Sequence, residues 1–183
     1  MKRANQPASP SQEIAERRDW SGPTLAGGVL TAELVTFCQS GISIIMASRD
    51  TSLRPVAGRG LACRIDGEGR VRVVLREPAN AAFLHAIAAG GPIAATFTRP
   101  FSHRSIQFKA TRAAIVRPGP QDGPAAFAQT RKFRDELVEA GHDDTFATGF
   151  TRFELHELAA FEFLPENAFV QTPGPSAGSA LAS

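Results

Sequence analysis

The residues with the most chemistry to offer fall in one short stretch. Thr96, Thr98, Arg99, Arg104, Gln107 and Lys109 bring together two hydroxyls, an amide and three cations. Such a set suits a phosphorylated ligand, because guanidinium and ammonium groups form charge-assisted hydrogen bonds to a dianion while hydroxyls and amides address its neutral parts. Elsewhere the sequence offers little for direct catalysis. Ser102 and His103 pair a nucleophile with a base, but adjacent residues seldom align for proton transfer, and His103 reads better as a loop residue that orients a substrate. His142, Asp143 and Asp144 are ligand types without a spaced third partner, so they read as a solvated turn rather than a metal site. No tyrosine is present to supply a phenol.

The elements that must position these groups follow from periodicity. Residues 93–98 form a β-rich run, Arg99 to Arg104 break it with Pro100 and two cations, and from Ser105 alternation resumes through Ile106, Phe108 and Ala110 to about residue 116. An antiparallel pair results. Upstream, 31–41 reads as a short helix with Thr31 as N-cap and Gly41 as stop. A hairpin then runs from 42–49 through an Asp50-Thr51-Ser52 tip into a second strand reaching Ile65, and Gly58-Arg59-Gly60 within that strand suggests a bulge or a close approach to the backbone. Asp66-Gly67-Glu68-Gly69 turns the chain into a third strand, 70–76, with Val71, Val73 and Leu75 on one face and Arg70 and Arg72 on a solvated one. A helix starts at Pro78 and ends at Gly90-Gly91, another spans 126–140, residues 146–157 are ambiguous, and 158–164 forms the last strand. The expected fold is mainly β (α+β), a six-stranded antiparallel barrel with flanking helices that plug its ends.

Composition bounds the rest. A chain of 183 residues builds one core, so the expected division is a tail at 1–24, a domain at 25–170 and an extended, mobile tail at 171–183. Thirteen Phe against one Trp make aromatic content mostly core filler. A net charge of +2, with cations scattered along the chain, argues against a nucleic-acid partner. No run approaches the ~20 apolar residues that cross a bilayer, and no apolar segment follows Lys2 and Arg3 as a secretory signal would require. Cys38 and Cys63 lack the spacing of a zinc site and the density of a disulfide scaffold, and read as buried thiols of a cytoplasmic protein.

On these elements the chain resembles the pyridoxamine 5′-phosphate oxidase-like family, the FMN-binding split barrels. The carriers are Ile44-Ile45-Met46-Ala47-Ser48-Arg49-Asp50 with Arg54-Pro55, the Val71 to Leu75 strand with its following helix, the Ile93 to Thr98 strand, and Ser105-Ile106-Gln107-Phe108-Lys109-Ala110. The resemblance implies a homodimer holding FMN in clefts between subunits and acting on a small molecule. Carried over, the cofactor-binding candidates are Arg59, Gly60, Arg76, Asn80, Thr96, Thr98, Gln107 and Lys109, with His103 toward the substrate. Related split barrels bind haem, which would need a ligand from among His85, His103, His142 and His156. Two departures count against pyridoxamine phosphate oxidation itself. Gly58 stands where the oxidases place an arginine, with Arg59 one position later, and the C-terminus has no basic, Trp-containing segment. A degenerate site in a non-enzymatic binding barrel is the remaining alternative.

Overall fold

The computed structural model describes Leu30 and residues 32–181; the 1–24 tail, Trp20 and the Thr31 cap lie outside the described residues. Helix α1 is Ala32–Cys38, and its buried Leu34, Phe37 and Cys38 form the expected stripe. Gly41 ends it at φ +84°, a conformation that glycine adopts without strain. The strands are β1 Ser43–Arg49, β2 Pro55–Ile65, β3 Val71–Arg76, β4 Ile93–Thr98, β5 Ser105–Ala110, β6 Ala114–Val116, β7 Leu158–Phe163 and β8 Asn167–Val170. Helix α2 is Ala81–Ala88, α3 Asp122–Glu139 and α4 Asp144–Thr151. None of the described helices is long and apolar enough to cross a membrane.

Among the described residues eight antiparallel strands replace the expected six, in the order β6-β7-β3-β2-β1-β4-β5-β8, and their sheet does not close into a barrel. Two causes are local. The run from Ser105 breaks at Thr111, whose N–H and hydroxyl both donate to Glu166 at 2.9 and 2.6 Å, so its far end leaves β5 and pairs with β7 as β6. Residues 167–170, placed in the domain by the sequence but given no element, add to the edge of β5 as β8. The last described residues then fold back on β8, with Val170 N–H donating to the Ser179 carbonyl at 2.9 Å and Leu181 N–H to that of Ala168 at 2.9 Å. Extended chain thus covers a strand edge that would otherwise expose unpaired backbone.

The split lies in β2. Residues 55–59 pair with β1, then the register shifts between Gly60 and Ala62, and the far half pairs only with β3 on that side. Backbone groups freed by β1 must be satisfied. The Gln129 amide does this at Cys63, accepting from its N–H at 2.9 Å and donating to its carbonyl at 2.7 Å, and Gln39 accepts from Ile65 N–H at 2.9 Å. One core fills the inside of the bent sheet, with Ile44, Met46, Phe97 and Phe108 from one half and Val73, Leu75 and Phe161 from the other, against Phe37 of α1 and Phe83 of α2. A smaller cluster, including Leu61, Val74, Ala126 and Phe153, packs α3 on the outside.

Arg72 is not the solvated residue expected of β3. Its guanidinium donates to both oxygens of Asp122, at 2.6 to 3.0 Å, and to Glu162 at 2.6 Å. Burial pushes the fully covered Asp122 carboxyl up, but the Arg72 bonds, one from the Gly119 N–H and one from Arg64 outweigh it and hold the group below its ordinary value. This pair pins the start of α3 to the sheet.

Candidate functional site

Directly opposed residues on neighbouring strands project from the same face, so register assigns the site. Arg59 opposes Ile45, Ile45 opposes Thr96, Thr96 opposes Gln107, and Gln107 opposes Phe169. Five strands thus present one transverse row on the face away from the core. The next row runs Ala57, Ala47, Ala94, Lys109, Asn167, and on the other side Ser43 opposes Thr98, which opposes Ser105. Three alanines side by side leave the sheet with little relief, and Ile45 beside them is 47% exposed. The surface is flat, half apolar and fringed by cations.

Five of the sequence candidates share this neighbourhood, each with a partner. Arg59 donates from its guanidinium to the Phe150 carbonyl at 2.7 Å and lies 3.9 Å over the Phe150 ring. Burial and the positive charge of nearby Arg76 hold that guanidinium below its ordinary value. Among the described residues Arg59 and Lys109 form no salt bridge with a carboxylate. The Lys109 ammonium stands 4.8 Å over the Phe169 ring. Thr96 accepts from the Gln107 amide at 2.9 Å, and the Thr98 and Ser105 hydroxyls share a hydrogen bond of 2.8 Å.

The other candidates support the site from behind. Asn80 is 3% exposed; its Oδ1 accepts the Arg59 N–H at 2.7 Å, and its amide donates to the carbonyls of Arg76 at 2.7 Å and Arg59 at 3.3 Å. It fixes the backbone that carries Arg59. Arg76 is held by both carboxylate oxygens of Glu157 at 2.9 and 3.0 Å, bonds that raise its ordinary value further. Gly60 lies one step from Arg59 and turns the other way: a Cβ there would meet Val73 at 2.9 Å and Ile44 at 3.0 Å. Its missing side chain serves core packing, and the space at Gly58 serves Asn80, whose Oδ1 a Cβ would meet at 2.7 Å.

Beyond the Ser43 and Thr98 end of the face, the β4–β5 loop and the helices α3 and α4 border a half-open cavity of about 470 Å³. His103 lines it, at φ +56°, together with Thr98, Phe133, His142 and Phe150. Thr98 and Phe150 therefore belong to both face and cavity. Asp143 caps α4 by accepting the Phe146 N–H at 2.8 Å, which gives the His142-Asp143-Asp144 turn a structural task. His142 stacks on Phe146 at 5.0 Å and Phe146 on Phe150 at 5.5 Å, so one aromatic file leads to the Arg59 guanidinium. Sequence reasoning missed Phe150 as a site residue and named His142 only among the possible haem ligands, although Phe146 and Phe150 at helical i, i+4 spacing were a signal. Both cysteines are fully buried, and burial pushes their thiols well up, which removes them as nucleophiles.

No family model matches the sequence, and no curated protein matches it. Solved structures do. HupZ of Group A Streptococcus aligns at a TM-score of 0.50 and 16% identity over 81% of this chain and 99% of that one. A protein of Lactobacillus delbrueckii described as a candidate pyridoxamine 5′-phosphate oxidase aligns at 0.48 and 16% over 81% and 99%. HutZ of Vibrio cholerae, described as a haem storage protein, aligns at 0.44 and 17% over 78% and 94%. At such identities the likeness to HupZ is one of architecture, and what it establishes is a β-rich α+β fold like the split barrel.

Proposed function

We propose that this chain is a homodimeric, FMN-dependent oxidoreductase of the split-barrel kind, acting on a small molecule. The observation that carries the reading is the transverse row from Arg59 to Phe169 beside three level alanines. A flat ring system can lie against such a surface, with the Thr96 hydroxyl and Gln107 amide at its polar edge and a cation at either end for an anionic handle. The residues fit a flavin on these grounds: Arg59 sits in the positive field of Arg76 and, among the described residues, has no carboxylate of its own.

Arg59 and Lys109 stand three strands apart, about 15 Å by strand spacing, too far for one phosphate to touch both. If two cations converge on one phosphate, they come from different copies, and this is the physical reason for the dimer in the proposal. When bound, the flavin supplies the hydride or electron transfer, and the protein supplies binding, orientation and electrostatics. Arg59 would hold the anionic end, Asn80 keeps Arg59 in place, and Thr96 with Gln107 orients the ring.

Haem is the second reading, favoured by the two imidazoles, His103 and His142, that line the adjoining apolar cavity. Absorption spectroscopy of the purified protein separates the two: flavin bands support the first reading, a Soret band the second. A colourless protein that takes up neither group when both are supplied would make the barrel a binding module without this chemistry.

A further inference from the structure

The cavity beside the sheet face differs chemically from the face. Its walls are Phe101, Phe133, Leu137 and Phe150, and its polar groups are the Ser43 and Thr98 hydroxyls and the imidazoles of His103 and His142. Among the described residues neither a carboxylate nor a guanidinium or ammonium group lines it. An anion or a permanent cation would therefore lose its hydration there without a charged partner. Hydroxyls and imidazole N–H groups are donors, and aromatic side chains dominate the walls. At about 470 Å³ the space has the size of a small-ligand pocket.

The loop that forms one wall is built rather than loose. His103 holds a positive φ, uncommon for a residue with a side chain. Its N–H donates to the Arg99 carbonyl at 2.9 Å, and its carbonyl accepts the Ser105 hydroxyl at 2.9 Å. Ser105 also shares the bond with Thr98, so one short hydrogen-bonded chain fixes both the His103 loop and the Thr98 hydroxyl.

We infer that this cavity binds a neutral, flat aromatic carbonyl compound, its rings against the phenylalanines and its carbonyl oxygen accepting from the Ser43 hydroxyl and an imidazole, since the Thr98 proton is used by Ser105, whose own proton goes to the His103 carbonyl. The inference names a substrate class for the site proposed above, but binding itself needs no cofactor and is read without one.

The test is heteronuclear NMR of the labelled full chain titrated with fluorenone, and separately with fluorene, which has the same ring frame without the oxygen. Saturable shifts at the amides of His103, Ala140 and His142 are expected with fluorenone, and weaker binding with fluorene. Ser43→Ala removes the hydroxyl donor and leaves the ring walls in place, so it should weaken fluorenone about fivefold, the loss typical of one hydrogen bond, and leave fluorene unchanged. Ala140→Trp fills the cavity from its α3 wall and should abolish both. Equal affinity for the two compounds, shifts elsewhere on the protein, or undiminished binding by a folded Ala140→Trp chain overturns the inference. If Ala140→Trp fails to fold, the Ser43→Ala comparison decides alone. Flavin retention, recorded on the same preparations, reports separately on the cofactor reading.

Discussion

The Arg59 guanidinium stacks 3.9 Å above the Phe150 ring and donates to the carbonyl of the same residue at 2.7 Å. The C-terminal turn of α4 thereby occupies the cation that the proposed cofactor would use. Phe150→Ala removes the ring but not the carbonyl. Loss of a half-exposed cation–π contact costs about 1 kcal/mol, so the melting temperature should drop by a few degrees at most. Affinity for added FMN should rise, because the guanidinium is less engaged. Fluorescence titration measures it, and a fall in affinity would show that Phe150 helps to hold the ligand instead.

Asn80 is the buried clamp between β2 and the end of β3. Asn80→Ala strands the Arg59 N–H and the Arg76 carbonyl in the interior, and each buried unsatisfied group costs 1–3 kcal/mol, giving a total of about 3 kcal/mol. Urea unfolding should show a lower midpoint at unchanged slope. A loss below about 0.5 kcal/mol would mean that water replaces the amide and that the clamp is not rigid.

Asp122 makes stability depend on acid in a fixed direction. Its folded carboxyl lies below the ordinary value, so its contribution is fully present above about pH 4 and is lost as pH falls through the folded value. Asp122→Asn leaves Arg72 and Arg64 without their shared partner and should cost about 3 kcal/mol at pH 7. The gap between variant and wild type should narrow on acidification below pH 4. Denaturant titrations at neutral and acid pH check this, and a gap that widens in acid contradicts the ion-pair account.

Ala47 sits in the middle of the flat face, between Ala57 and Ala94. Ala47→Glu adds an exposed charge and leaves the monomer's core untouched, so the unfolding free energy of the isolated chain should hold within about 0.5 kcal/mol of wild type. Association should fail, because a charge buried at the centre of an interface lacks a partner. Sedimentation velocity reads the result, and an Ala47→Glu dimer as tight as wild type places the interface elsewhere.

Much of the framework was legible because it is set by local rules. Gly41 stops α1, and Asp66 and Gly69 close the β2–β3 turn through the 3.1 Å bond from Gly69 N–H to the Asp66 carbonyl. Alternation likewise placed Thr96, Gln107 and Lys109 on one face, and Arg59 joined them because the register shift comes after it, not before. What escaped the sequence depends on distant partners. Thr111 breaks its strand because Glu166 is at hand, four residues suffice for β8 because β5 offers an open edge, and Arg72 is covered because α3 brings Asp122. Arg76 and Arg59 were legible as cations; that Glu157 and Phe150 hold them was not. Gly60 shows the limit of motif reading, since the same missing side chain admits either a ligand or, as here, Ile44 and Val73.

The central claim is that two copies of the flat face, with Arg59 and Lys109 at its ends, hold a flavin. Native mass spectrometry of the purified full-length protein tests it most directly, because one spectrum reports both assembly and bound mass. A dimer carrying two FMN molecules is expected, with the FMN but not the protein mass lost in an Arg59→Ala, Lys109→Ala double variant. A bare monomer from protein supplied with FMN, or a double variant that keeps its flavin, would contradict the account.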